Sequence, residues 1–196
     1  MLILTRTVGY HGGMTRSGSR NTERTRTAVL TATEHLILTK GLAFSLGEVA
    51  SAAGVSKSGL LHHFSSKDDL VLETTQRICQ SLREVVLRQV DLAENTPGKL
   101  LRAYVRTLCG GDEQAARGCA LFMMLKASVE AAPQIEGVLA EDSAWWTKNL
   151  AADGMDPDLL HLVLRATEGC AIAYVWGAET AEEARHLRDI LLKMCP

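Results

Sequence analysis

Ser56, Lys57, Ser58 and Gly59 stand in one run, and His62 and His63 follow a helical turn later. A lysine donates to guanine or to a phosphate, and a serine hydroxyl bonds either kind of group. A glycine has no side chain, so the backbone comes close to whatever lies opposite. His62, His63 and Lys67 add donors for phosphate oxygens on the far side of the run. The chemistry these types share is recognition of a polyanion. Bond making has no comparable signature: the chain carries no G-x-S-x-G, H-E-x-x-H, P-loop or G-x-G-x-x-G. Cys119 beside Arg117 is the nearest approach to an activated thiol, and nothing near it identifies a base. No enzyme activity and no cofactor are expected. Adjacent residues on a helix point about 100° apart, so His62 and His63 do not chelate one ion easily, and no metal is expected.

These residues need two short helices to position them. Ser45-Leu46-Gly47-Glu48 is a capping box, and Gly54 ends the helix that it opens. Ser56 caps a second helix running to about Phe64. Two short helices joined by a tight glycine turn form a helix-turn-helix. Val49, Ala50, Val55, Leu60 and Leu61 are expected to pack the two together, with Ala50 and Ala53 small enough for close approach. Lys57, Ser58, Gly59 and His62 then face outwards. In such a unit the second helix enters the major groove with its first residues near base edges. The N-terminal ends at Ser45 and Ser56 present backbone N–H groups to phosphate.

The run from Ser45 to Leu70, S-L-G-E-V-A-S-A-A-G-V-S-K-S-G-L-L-H-H-F-S-S-K-D-D-L, resembles the signature of TetR-family regulators. The likeness covers about Arg24 to Leu72, and the spacing of Gly54, Ser56, Phe64, Lys67 and Leu70 carries it. The chain departs from the family at Leu61, where a tyrosine is common, and in a loop after Gly41 about one residue shorter. The resemblance implies an all-α dimer with a three-helix helix-turn-helix DNA-binding domain and a C-terminal helical ligand and dimerisation domain. The partners it implies are a palindromic double-stranded DNA operator, a second copy of the chain and a small-molecule effector. Repression relieved by a small, mostly apolar effector is the expected mode. A dimer would hold its recognition helices about 34–36 Å apart, one turn of DNA.

The rest of the sequence reads as helices with short punctuation. Residues 1–20 form an arm rich in Gly, Ser, Thr and Arg, without periodicity and expected to be disordered, whose Arg16 and Arg20, with Arg24 and Arg26 just beyond, would reach DNA. Residues 21–66 form the DNA-binding domain and residues 67–196 the ligand-binding and dimerisation domain. Successive helices begin at about Thr22. Ser66-Lys67-Asp68-Asp69 is a further capping box, opening a long helix to about Ala93. Thr96-Pro97 and Asp112 start two more, the second reaching Ala132. Pro133 and Asp156-Pro157 open others, and Thr180-Ala181-Glu182-Glu183 boxes the last. Tyr104, Phe122, Met123, Trp145, Trp146, His161 and Trp176 are the candidate ligand-binding residues, with Arg106 and Glu168 as further polar groups. Trp145 and Trp146 are adjacent, so they cannot both face one core direction. The helices at about 157–176 and 180–193 are the candidates for dimerisation, with Ala166, Gly169, Ala171 and Ala173 supplying small residues.

Composition agrees with this picture. The chain has 196 residues and a formal charge of −2. Residues 1–67 carry eight Lys/Arg against three acids, a net of +5, which leaves −7 for the remainder. A basic end on an acidic body suits approach to a polyanion. Five cysteines without a C-x-x-C pair argue against a disulfide framework and for reduced thiols in a cytoplasm. No run approaches the roughly 18 apolar residues that a membrane span needs. Met14 is an alternative start to Met1.

Overall fold

The computed structural model describes residues 16–195, with side chains from Arg20 onward. Nine α-helices and two 3-10 turns make up the regular structure of those residues. They are α1 (Arg16–Lys40), α2 (Leu46–Ala52), α3 (Lys57–His63), α4 (Lys67–Arg88), α5 (Lys99–Leu108), α6 (Glu113–Ala127), α7 (Glu136–Ala151), α8 (Pro157–Val175) and α9 (Ala181–Met194). The turns Val129–Ala131 and Pro133–Ile135 connect α6 to α7. The all-α expectation holds, and no helix is long and apolar enough to cross a membrane among the described residues.

Local chemistry accounts for most helix ends. Ser45 accepts the Glu48 N–H while the Glu48 carboxylate accepts the Ser45 N–H, and Thr180 and Glu183 repeat the arrangement at α9. Asp112 and Asp156 accept two backbone N–H groups each at the starts of α6 and α8. Ser66 caps α4, but the Asp69 carboxylate turns to the Ser65 N–H and hydroxyl, so the expected box is displaced by one residue.

Four boundaries differ from the sequence reading. Residues 16–20, expected in a disordered arm, belong to α1; residues 1–15 lie outside the described residues. Once the buried stretch from Val29 to Ile37 fixes a helix, extension adds one hydrogen bond per residue. The long helix α4 stops at Arg88 rather than near Ala93, because the Asp91 carboxylate accepts the Ala93 N–H and competes with helix. α6 ends at Ala127 rather than Ala132, where the Ser128 hydroxyl bonds back to the Met124 carbonyl. Thr96-Pro97 does not start α5. The helix begins after Gly98, at φ 89°, and the Asp153 carboxylate from the end of α7 accepts the Leu100 and Leu101 N–H groups.

Two apolar cores result. One gathers Val29 and Ile37 of α1, Val49 of α2, Leu60 of α3, and Leu70 and Ile78 of α4, together with Leu125 of α6 and Ile135. The other gathers Leu82 and Val86 of α4 with Leu101, Leu108, Leu150, Val163 and Leu191. α4 therefore belongs to both, and each fully buried leucine contributes about 1.5–3 kcal/mol of transfer free energy. It is also tied to α1 by ion pairs from Arg77 to Glu34, at 3.4 Å, and from Glu73 to Arg26.

Candidate nucleic-acid interface and internal cavity

α2 and α3 meet at the Gly54 turn, where φ is 66° and a side chain would be strained. Val49, Ala50, Leu60 and Phe64 are buried and fix the pair against α1 and α4, while Val55 is half-buried. Leu61, expected in this packing, is instead 43% exposed. Leu60 and Phe64 take the inward positions one turn apart, so the residue after Leu60 is rotated towards solvent.

The outward edge of α3 carries exposed Lys57, Ser58, Leu61 and His62, with Gly59 and His63 half-buried. Ser56 Oγ accepts the Gly59 N–H at 3.0 Å and shares a hydrogen bond of 3.1 Å with Ser58 Oγ. A Cβ on Gly59 would stand 3.1 Å from Ser56 Oγ, so the glycine keeps this cap uncrowded. At α2, Ser45 is exposed and Glu48 pairs with Lys40 at 2.6 Å, which holds its carboxyl down at about 2 together with the Ser45 bonds.

Beside α3 the structure adds residues that sequence reasoning missed. Asn21, Thr22 and Thr25 of α1 line a groove with Ser56, Ser58, Gly59, His62 and His63. Their i, i+1, i+4 spacing was the available signal, hidden because the chain there was read as an arm and the start of a helix rather than as one helix face. Two basic residues are drawn off elsewhere. Arg26 pairs with Glu73 and lies over the Phe64 ring at 5.1 Å. Lys67 donates to the Leu42 carbonyl and sits 4.7 Å above the Phe44 ring. Both serve the packing of the helix-turn-helix.

The other feature is a cavity of about 300 Å³ enclosed by α4, α5, α6, α7 and α8. Tyr104, Phe122, Met123, Trp146 and His161, five of the seven candidate ligand residues, line it. Trp145 and Trp176 do not. Trp145 lies under the Arg83 guanidinium, 4.8 Å from its ring centre, edge-on to Trp146 at 5.0 Å. Trp176 follows the last turn of α8 and is 56% exposed. Of the further polar candidates, Glu168 lines the cavity, whereas Arg106 pairs with Glu94 at 2.6 Å outside it.

The cavity wall follows helical periodicity. α8 presents His161, Leu164, Arg165 and Glu168, at i, i+3, i+4 and i+7, and α7 presents Ser143, Trp146, Thr147 and Leu150 in the same spacing. Tyr104 packs edge-on to Trp146 at 5.1 Å, and its hydroxyl is pushed well above the usual range by burial. Burial also raises the Glu168 carboxyl, against the opposing pull of Arg165, Lys126 and His161. Behind the wall, Asp142 is 1% exposed, pairs with Arg83 of α4, and is raised by the same cause.

All five cysteines are buried, and burial pushes Cys79 and Cys119 up to about 12. Arg117, next to Cys119 in the sequence reading, pairs with Glu113 at 3.1 Å.

A three-helix helix-turn-helix unit joined through a long helix to a helical body with an internal cavity defines a class of DNA-binding regulators. The family described as bacterial regulatory proteins, tetR family, matches residues 29–74, and that described as tetracyclin repressor-like, C-terminal domain, matches residues 98–196. The chain belongs to the TetR family of transcriptional regulators, which are DNA-binding regulators and not enzymes. The fold is similar to that of a transcriptional regulator from Rhodococcus sp. Rha1, at 23% identity and TM-score 0.68, covering 89% of this chain and 95% of that one. It is similar to a TetR family transcription regulator from Marinobacter aquaeolei, at 19% identity and TM-score 0.67, covering 90% and 97%. It is also similar to the multidrug binding protein EbrR, solved with imidazole, at 22% identity and TM-score 0.56, covering 97% and 98%.

Proposed function

We propose that the protein is a ligand-responsive transcriptional repressor that binds a palindromic operator as a homodimer and is released by a small effector. The observation that carries this reading is the outward edge of α3: Lys57, Ser58 and His62 are exposed on a helix whose opposite face, Leu60, is fully buried. Residues 21–66 supply the DNA contacts. Lys57 and Ser58 reach base edges or phosphates, Leu61 meets a thymine methyl, and His62, His63, Ser45 and the α1 residues Asn21 and Thr25 hold the backbone. Residues 67–196 supply effector binding and dimerisation.

The dimer reading rests on the outer face of α8. Leu162, Ala166, Gly169, Ala173 and Trp176 follow one stripe, and Leu162 and Trp176 are more than half exposed. A Cβ on Gly169 would meet nothing within 4 Å, so a second helix has room to approach there. Ile190 on α9 is also exposed, while Leu187 and Met194 are half-buried against the second core, and a twofold axis would bring both helices against their copies. Release follows if the effector favours a spacing of the α3 helices that no longer fits successive grooves, with α4 as the lever between the two cores. A DNA-binding regulator of this kind would work in the cytoplasm. Fluorescence anisotropy on a duplex enriched from a random library tests the reading. A palindromic consensus with steep salt dependence is expected, and absence of any duplex binding at low ionic strength overturns it.

A further inference from the structure

The cavity in the helical body has an uneven distribution of charge. Its floor is apolar and aromatic: Leu82, Tyr104, Trp146 and Leu150 are all buried there. Its rim carries Lys126 near the end of α6, with His161 and Arg165 on the first half of α8, all three exposed. Glu168 is the one carboxylate among the lining residues, and it is already held by Arg165 at 2.7 Å. Among the described residues Lys126 forms no salt bridge; its charge pulls on Glu168 from a distance, and its ammonium stands 6.0 Å from the Phe122 ring centre. Two cations, Lys126 and Arg165, thus share one carboxylate, which leaves the rim net positive, with the His161 imidazole on the same rim and a pocket of little polarity below.

We infer that the effector is a small organic carboxylate with an apolar or aromatic body, its carboxylate held at the rim by Lys126 and His161 and its body resting on Trp146 and Tyr104. This rests on the reading of the cavity as an effector site. A cationic ligand would have to pass Lys126 and displace Arg165 from Glu168. A neutral ligand would leave the Lys126 charge unanswered. A volume of about 300 Å³ stands at the lower end of ligand pockets, which limits the body to one ring or a short chain.

The experiment uses the full chain and four acids: benzoate, phenylacetate, 4-phenylbutyrate and octanoate. Each is compared with its primary amide and its amine by calorimetry, with thermal shift and tryptophan fluorescence as parallel readouts. At least one acid binds more tightly than its amide and amine, and tryptophan emission changes because Trp146 lies in the wall. Lys126→Glu, a change at an exposed position, weakens that acid about tenfold or more, the loss of a charge-assisted bond. Lys148→Glu, at an exposed lysine of α7 outside the lining, leaves the affinity unchanged. Circular dichroism confirms that both variants are folded. The inference is overturned if no acid in the series binds, if an amine binds as well as its acid, or if Lys126→Glu leaves the acid affinity intact. Duplex affinity is measured on the same preparations without acid. Protein that grips DNA but ignores the acids removes this inference alone, and protein that binds acids but no duplex removes the regulatory reading instead.

Discussion

Lys67 reaches back across the helix-turn-helix, its ammonium 4.7 Å above the Phe44 ring and hydrogen-bonded to the Leu42 carbonyl. The first residue of α4, itself half-buried, thus clasps the loop between α1 and α2.

Lys67→Ala is expected to lower stability by about 1–3 kcal/mol through the lost charged hydrogen bond and cation–π contact. Lys57→Ala, at an exposed position, is expected to change stability by less than about 0.5 kcal/mol. Urea unfolding of the two variants measures the difference. Equal stabilities would contradict the clasping role of Lys67.

Leu60 and Leu61 are neighbours with opposite environments, 0% and 43% exposed. Leu60→Ala is expected to cost about 2–5 kcal/mol, the range for a buried leucine. Leu61→Ala is expected to cost well under half of that and to appear chiefly as weaker duplex binding. Thermal denaturation and anisotropy on the same samples separate the two effects.

Arg83 and Asp142 join α4 to α7, with Asp142 buried and Arg83 partly exposed. Arg83→Met is expected to cost about 2–4 kcal/mol at neutral pH, less than for a fully buried pair because Arg83 meets solvent. Burial raises the Asp142 carboxyl above 3.8, so the folded state binds a proton more readily than the unfolded chain. The stability linked to that proton is present below 3.8 and lost as pH rises through the raised value. Urea midpoints across that window should show the Arg83→Met deficit growing with pH, and a flat deficit would reject the assignment.

Glu48 behaves in the opposite sense. Its carboxyl is held at about 2 by Lys40 and by the Ser45 capping bonds. Its contribution is present above 4.5 and lost as pH falls through about 2. A carbon-detected titration of Glu48 in the wild type and in Lys40→Ala should show the midpoint move upward in the variant.

Helix content was legible in the sequence wherever the signal was local. The boxes at Ser45 and Thr180, the Asp112 and Asp156 caps and the α3 residues Lys57 to His62 all sit where short-range chemistry places them. What escaped depends on distant partners. Asp153 caps α5 from 52 residues away or more, Arg83 of α4 holds Trp145 off the cavity, and Glu73 recruits Arg26 from the basic patch. The cavity stripe of α8 was visible only in part, as His161 and Glu168; Arg165 of α8 and Lys126 of α6 stand exposed at its rim, a position set by how the helices pack rather than by any local pattern.

The central claim is that the outer edge of α3 reads DNA. Anisotropy titration of the folded Lys57→Ala, His62→Ala double variant against the enriched duplex tests it directly. The account predicts a loss of about tenfold to a hundredfold or more in affinity and a shallower salt slope, with unchanged circular dichroism. Wild-type affinity and slope in that variant would contradict it.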